Sequence, residues 1–142
     1  MTRRINVSYL ERLLQKYSLV VLDDESIIYC STDSTIKPIV YAIRDLGAKL
    51  NGKIIADRVI GKAAALVIAN VRPGYVYGLI MSIGAKTVLE KYNITYDYDE
   101  LVSHIRTPSG EICPFEKIVE NIEDPHTALK MIASRLGIGM KE

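Results

Sequence analysis

The sequence predicts an α/β domain in which helices cover both faces of a mixed sheet, a three-layer α/β/α sandwich. Segments with apolar residues at helical spacing alternate with short β-branched runs, the pattern expected of helices packed on a sheet. Two strand-like runs near the start are joined by the acidic turn 23–25, which indicates a hairpin and therefore some antiparallel pairing. The 142 residues, 49% of them hydrophobic and 25% charged, suit one globular domain over 1–142.

The elements of the first half follow from periodicity and turn residues. A helix over 8–17 has apolar residues at i, i+3, i+4 and i+7, and Ser8 with Glu11 fits a capping box. The runs 18–24 and 26–31 form the hairpin. A helix over 37–46 follows Ser34 or Thr35 as its cap, and Gly47 or Gly52 ends it.

The second half continues the alternation of strands and helices. Strand-like 53–61 leads into an Ala-rich helix over 61–70, which is apolar on all sides and should be buried at the centre. Strand 75–82 precedes a helix from Ser82 to Lys91. The segment 94–102 reads as extended at its start, with a helical alternative at its end. After a loop over 104–111, one helix begins at Pro114 and a last helix covers 124–136.

Charge and composition exclude several function classes. A formal net charge of +1 gives no electrostatic case for binding nucleic acid or an anionic membrane. The longest apolar stretch, 63–69, is far shorter than the roughly 20 residues that span a bilayer. Two cysteines and two histidines make even one zinc site of His and Cys ligands demanding. We therefore expect a cytoplasmic protein with reduced thiols, no metal and no cofactor.

The first candidate for chemistry is the segment 56–65, where Asp57, Gly61 and Lys62 precede an apolar helix. Backbone N–H groups at a helix N-terminus attract anions, and Lys62 would add a positive charge with Asp57 close by. A lysine in the first turn opposes the helix dipole, which suggests another use for it. One interpretation is a corner that binds a carboxylate or phosphate through Gly61, Lys62 and Ala63. The other is that Gly61 permits close packing, Asp57 caps the helix and Lys62 reaches solvent.

The second candidate is the segment 109–116, in which Cys113 stands immediately before a helix that begins at Pro114. A thiol there has its pKa lowered by the helix dipole, and Glu116 on the first turn would be a nearby acid or base. The same residues also fit a buried small side chain with a capping-box glutamate. His104 is the histidine nearest to either segment, as a general base or as an exposed loop residue.

Three segments together resemble a small uncharacterised prokaryotic domain family, a domain of unknown function assigned to the cytidine-deaminase-like fold. They are ADRVIGKAAALVIA, TVLEKYNITYDYDELV and CPFEKIV, and the resemblance extends from about Leu19 to about Leu129. Its most specific marks are the patterns Asp-x-x-x-Gly-Lys-Ala-Ala and Cys-Pro-x-Glu. The resemblance implies a three-layer α/β/α domain, and deaminase relatives commonly form dimers or larger oligomers.

The zinc signature of that superfamily is missing at the helices where the resemblance places it. Zinc deaminases carry a His or Cys, then Ala and Glu, at the start of the central helix, and Pro-Cys-x-x-Cys opens the next helix. Here Lys62 and Ala64 stand at the positions of the first ligand and the general acid/base, and the segment from Ser82 has no cysteine. We therefore expect no zinc-dependent deamination.

The sequence leaves three functions open. The first is binding of a small anionic or nucleotide-like ligand at a pocket formed by Asp57, Lys62 and either or both of Cys113 and Glu116. The second is an enzyme that uses Lys62 or Cys113 as nucleophile or base on a nucleotide-like or carbonyl substrate. The third is a structural protein that acts through homo-oligomerisation.

Overall fold

A computed structural model describes residues 5–140 of the chain; the ends of the predicted 1–142 domain, 1–4 and 141–142, lie outside the described residues. The six helices are α1 (Val7–Lys16), α2 (Lys37–Leu46), α3 (Lys62–Ile68), α4 (Ile83–Lys91), α5 (Pro114–Ile118) and α6 (Pro125–Leu136). The five strands are β1 (Leu19–Asp23), β2 (Ser26–Ser31), β3 (Ile54–Ile60), β4 (Tyr75–Ser82) and β5 (Tyr96–Val102). A 3₁₀ turn over Gly47–Leu50 follows α2.

The strands form one mixed sheet in the order β2-β1-β3-β4-β5. β1 pairs antiparallel with both β2 and β3, whereas β3, β4 and β5 are mutually parallel. The α/β class with a mixed sheet and an initial hairpin is therefore confirmed. Because the parallel strands point the same way, α3 and α4 both begin at the carboxyl ends of the parallel strands, directly after β3 and β4.

Helices cover both faces of this sheet. On one face, Leu10 and Leu14 of α1 pack against alternate strand residues such as Val20 and Tyr77. On the other face, side chains of α2 to α6 join the larger apolar cluster, and every residue of α3 from Ala63 to Ile68 is buried within it. The all-apolar segment thus forms the buried helix that its composition predicts.

On the face of the sheet that α1 covers, tyrosine hydroxyl groups link β4 to β5. The buried tyrosines Tyr75 and Tyr77 of β4 donate to the carboxylates of Asp97 and Asp99 on β5. Burial and the adjoining carboxylates raise the pKa of both phenols, so both phenols keep their protons at physiological pH. Asp97 and Asp99, which alternate along β5, therefore connect β5 to β4.

The predicted N-caps of α1 and α2 are wrong. Asn6, not Ser8, caps α1 by accepting the Tyr9 N–H at 3.1 Å, so the helix begins one residue early. Neither Ser34 nor Thr35 is the N-cap of α2, a position held by Ile36, although Thr35 accepts the Lys37 N–H.

Near the C-terminus one of the predicted alternatives is wrong. The end of 94–102 is not helical, because β5 continues to Val102 through its parallel pairing with β4. α5 begins at Pro114 as predicted and ends at Ile118. The last helix has its predicted cap and stop, since Asp124 accepts from Thr127 and Gly137 adopts a positive φ. Within 5–140, no helix is long and apolar enough to cross a membrane.

Candidate functional site

A cavity of about 540 Å³ lies where β3 ends and α3 begins. The segment 105–116 and the turn before α2 supply its other sides. Five of the six residues that the sequence singles out contribute to its lining: Asp57, Gly61, Ala63, Cys113 and Glu116. The fold therefore brings the two candidate segments together although they are far apart in the chain.

The carboxylate of Glu116 lies at the N-terminus of α3. Its Oε1 accepts the Lys62 N–H at 2.9 Å, and its Oε2 accepts the Ala63 N–H at 2.8 Å. These are two of the donors that the first turn of a helix leaves without an intrahelical partner, and the helix dipole favours a negative charge there. The anion that the sequence predicts for this corner is thus a side chain of the same protein.

Gly61 provides the space that this carboxylate needs. Its backbone is extended, with φ −96° and ψ −177°, so conformation does not require a glycine. A Cβ at this position would lie 2.6 Å from the carboxyl carbon of Glu116 and 2.8 Å from Oε2. The glycine of one sequence motif therefore makes room for the glutamate of the other.

The Lys62 side chain does not contribute to the cavity lining. Its ammonium forms an ion pair with Glu123 at 3.2 Å and donates to the backbone carbonyl of Glu120 at 3.2 Å. Both partners lie in the segment between α5 and α6. Lys62 therefore fastens the α5–α6 connection to the start of α3, which accounts for a lysine placed against the helix dipole.

Asp57 is the acidic residue of β3 that lines the cavity. Its carboxylate accepts the Val59 N–H at 3.3 Å and forms no ion pair within the described residues. Burial raises the pKa of Asp57 to about 7, and the backbone N–H groups of Val59 and Arg58 oppose this shift only in part. Near neutral pH the carboxyl can thus either donate or accept a proton.

Cys113 reaches the cavity through a small hairpin-like loop. A β-bridge joins Arg106 to Ile112, Gly110 turns the chain at φ +89°, and the Cys113 N–H donates to the carbonyl of Ile105. Cys113 is half-buried and stands immediately before α5. His104 precedes this loop and does not contribute to the cavity lining.

Several lining residues were not among the site residues that the sequence indicates. They are Ser34, Thr35 and Ile36 before α2, and Ile105, Thr107 and Pro108 in the loop. All belong to connecting segments whose position depends on the packing of the elements around them. Arg58 also borders the cavity, but its guanidinium donates to the carbonyls of Leu14 and Gln15 and so caps the end of α1.

Comparison with known proteins gives the chain a family. The model of the family described as "TM1506: Domain of unknown function (DUF1893)" matches residues 9–136. The chain belongs to the DUF1893 family.

A solved structure supports the same placement. The DUF1893 chain is similar to the crystal structure of a DUF1893 family protein (TM1506) from Thermotoga maritima, with 26% sequence identity. The match covers 95% of each chain with a TM-score of 0.83. No curated protein matches the chain. The predicted kinship with an uncharacterised domain family is therefore confirmed.

The raised pKa of Asp57 predicts that the stability of the DUF1893 protein falls as pH rises. The unfolded chain releases this proton near pH 4 and the native state near pH 7. Between these values one such group removes roughly 1.4 kcal/mol per pH unit from the free energy of unfolding. Asp57→Asn abolishes the titration, so we expect the stability advantage of the variant over the wild type to be about 3 kcal/mol larger at pH 8 than at pH 4.5.

Urea unfolding at pH 4.5, 6 and 8 measures this difference. Glu111→Gln, which changes an exposed acid on the loop, should follow the wild type throughout. A stability gain from Asp57→Asn that is the same at all three pH values would contradict a carboxyl whose pKa is raised in the folded protein.

The bonds made by Glu116 predict that the isosteric change Glu116→Gln is destabilising. The amide loses the charge and can offer only one acceptor oxygen, so its NH₂ group would face a backbone N–H. A charge-assisted bond contributes about 1.5–3 kcal/mol, and we expect a loss of about 2 kcal/mol in the free energy of unfolding. Glu111→Gln again serves as control, and equal stability of the two variants would show that the carboxylate at α3 contributes nothing.

Proposed function

We propose that the cavity beside Asp57 binds a small neutral or cationic amino-heterocycle, with the Asp57 carboxyl as its polar anchor. The observation that carries this proposal is a desolvated carboxyl that lies in a preformed cavity without an ion-pair partner in 5–140. Exocyclic amine and ring N–H groups are suitable partners for such a carboxyl.

The place of the cavity in the fold supports a binding role. It lies at the carboxyl end of β3, and in α/β sheets ligands bind outside the carboxyl ends of parallel strands. Its volume falls within the range of small-molecule sites. Ile36, Ala64 and Phe115 offer an apolar surface for a flat ring, and Thr35 and Thr107 offer hydroxyls at its border.

The charges around the cavity favour a nucleobase-like ligand over an anionic one. Glu116 is negative, and Asp57 becomes negative as pH rises above about 7. The cation that borders the cavity, Arg58, already donates to two carbonyls of α1, and the Lys62 ammonium is paired with Glu123. A phosphate would therefore meet negative charge without a free cation among the described lining residues.

The cytidine-deaminase-like relationship also remains a proposal. Support comes from the mixed sheet with its initial hairpin and from α3 buried at the centre of the domain. Within residues 5–140, no three His, Cys, Asp or Glu side chains are grouped as metal ligands. We propose a deaminase-like scaffold whose ligand site depends on Asp57.

An enzymatic role is the second candidate, because Asp57 and Cys113 line the same cavity. Asp57 would be the acid or base and Cys113 the nucleophile, whereas the ammonium of Lys62 is held in an ion pair and is less suited to attack a carbonyl.

Formation of a homo-oligomer stays a prediction. β2 is an edge strand with Ile27 and Ile28 exposed at 40% and 37%, which offers one surface for self-association.

Thermal shift and cysteine footprinting with defined probes test the proposed ligand class. We expect adenine or cytosine to raise the melting temperature and to slow iodoacetamide labelling of Cys113. Cys30, which is exposed on β2, is the internal reference and should label at an unchanged rate. Ribose 5-phosphate should have neither effect.

Two variants separate Asp57 from Lys62. Asp57→Asn should weaken binding of the heterocycle about tenfold at pH 8, since a hydrogen bond to a charged partner is lost. Lys62→Met should leave affinity within about twofold, as a change outside the binding site does. No response to either heterocycle, binding of ribose 5-phosphate alone, or loss of binding in Lys62→Met with retention in Asp57→Asn would overturn the proposal.

A further inference from the structure

A second cavity, of about 680 Å³, lies at the opposite end of α3 and shares no lining residue with the first. It is bounded by the end of α2, by residues 70–72 after α3, and by α6 with the segment that follows it. Its apolar side chains are aliphatic or thioether, and they include Ile43, Val71, Leu129, Ala133, Ile138 and Met140.

The border of this cavity is basic. Arg44, Arg72, Lys130 and His126 contribute to its lining, and no acidic side chain of the described residues does. Arg44 is already engaged, because it pairs with Asp45 at 2.8 Å and its guanidinium lies over the Tyr41 ring. Arg72 and Lys130 are exposed and form no ion pair within residues 5–140. Two cations are therefore free to meet an anion from solution.

The backbone of Arg72 gives a second, independent indication. Arg72 has φ +48°, in the left-handed region that disfavours residues with a Cβ by roughly 1 kcal/mol. It also precedes Pro73, and a residue before proline favours extended backbone. The carbonyl of Arg72 accepts the Gly52 N–H at 3.1 Å, which fixes the turn. Glycine would suit this conformation better, so the arginine side chain is placed at the cavity at a conformational cost.

We propose that this cavity binds an aliphatic organic anion, a molecule with a saturated chain and a terminal carboxylate or phosphate. The chain would pack against the aliphatic lining on α2 and α6, and the headgroup would meet the cations of Arg72 and Lys130. The absence of Phe, Tyr and Trp side chains from the described lining favours a flexible aliphatic body over a flat ring. This proposal does not depend on the function proposed for the Asp57 cavity.

Isothermal titration calorimetry of the full chain at pH 7.5 tests the proposal with four probes. They are decanoate and decyl phosphate below their micellar concentrations, decanol, and inorganic phosphate. We expect decanoate or decyl phosphate to bind, and the tighter of the two identifies the headgroup. Decanol and inorganic phosphate should each bind at least about tenfold more weakly, since each lacks one of the two halves that the cavity recognises.

The variants Arg72→Gly and Lys130→Gln should each weaken binding of the preferred probe about tenfold, the effect of losing one charge-assisted contact. Lys16→Gln, on α1 at the other face of the sheet, is the matched control and should bind as the wild type does. Arg72→Gly should also melt no lower than the wild type, because glycine relieves the positive φ. Decanol or inorganic phosphate binding as tightly as the preferred probe, absence of binding, or unchanged affinity in both variants would overturn the proposal.

Discussion

The contact between the Glu116 carboxylate and the first turn of α3 organises the functional end of this domain. α3 is buried on all sides, and its first N–H groups lie beside a cavity. Glu116 satisfies two of these donors from a segment that is distant in sequence. The same contact sets the position of α5, and with α5 it sets Cys113 and the loop that forms one side of the cavity.

Two further contacts extend this arrangement. Gly61 lacks the side chain that would displace the carboxylate, and Lys62 binds the α5–α6 connection through Glu123 and the Glu120 carbonyl. The residues Gly61, Lys62 and Ala63 thus mainly form contacts within the protein. They leave Asp57 as the cavity carboxyl that no helix N-terminus and no ion pair within residues 5–140 holds, with a pKa that burial raises to about 7. The polar group that can meet a ligand in this cavity is therefore the Asp57 carboxyl and not the Lys62 ammonium.

The sequence could predict the elements but only part of the site, and the reason is the range of the interactions involved. Periodicity and caps reveal α6 and the buried α3, because these signals lie within a few neighbouring residues. The choice between Asn6 and Ser8 as cap depends on small differences in backbone geometry that composition does not contain. The extension of β5 depends on pairing with β4, since its own alternation is compatible with more than one form.

The attraction of the α3 N-terminus for an anion was predictable from Gly61 and the apolar residues that follow. The identity of the anion was not, because Glu116 reaches it only after the sheet and helices have packed. The same holds for the pairing of Lys62 with Glu123 and for the six lining residues from connecting segments. Local physics thus predicts what an element needs, and tertiary packing decides which group supplies it.

A double-mutant cycle between Gly61 and Glu116 tests the central contact most directly. Gly61→Ala should cost about 2–3 kcal/mol, because its Cβ would displace the carboxylate, and Glu116→Ala should cost about 2 kcal/mol through the lost bonds. Truncation of Glu116 removes the three atoms that lie nearest to the added Cβ. The double variant should therefore be more stable than the sum of the single effects by at least about 1 kcal/mol, measured as free energies of unfolding in urea. Additive losses would contradict the account, because they would show that Gly61 and Glu116 act independently.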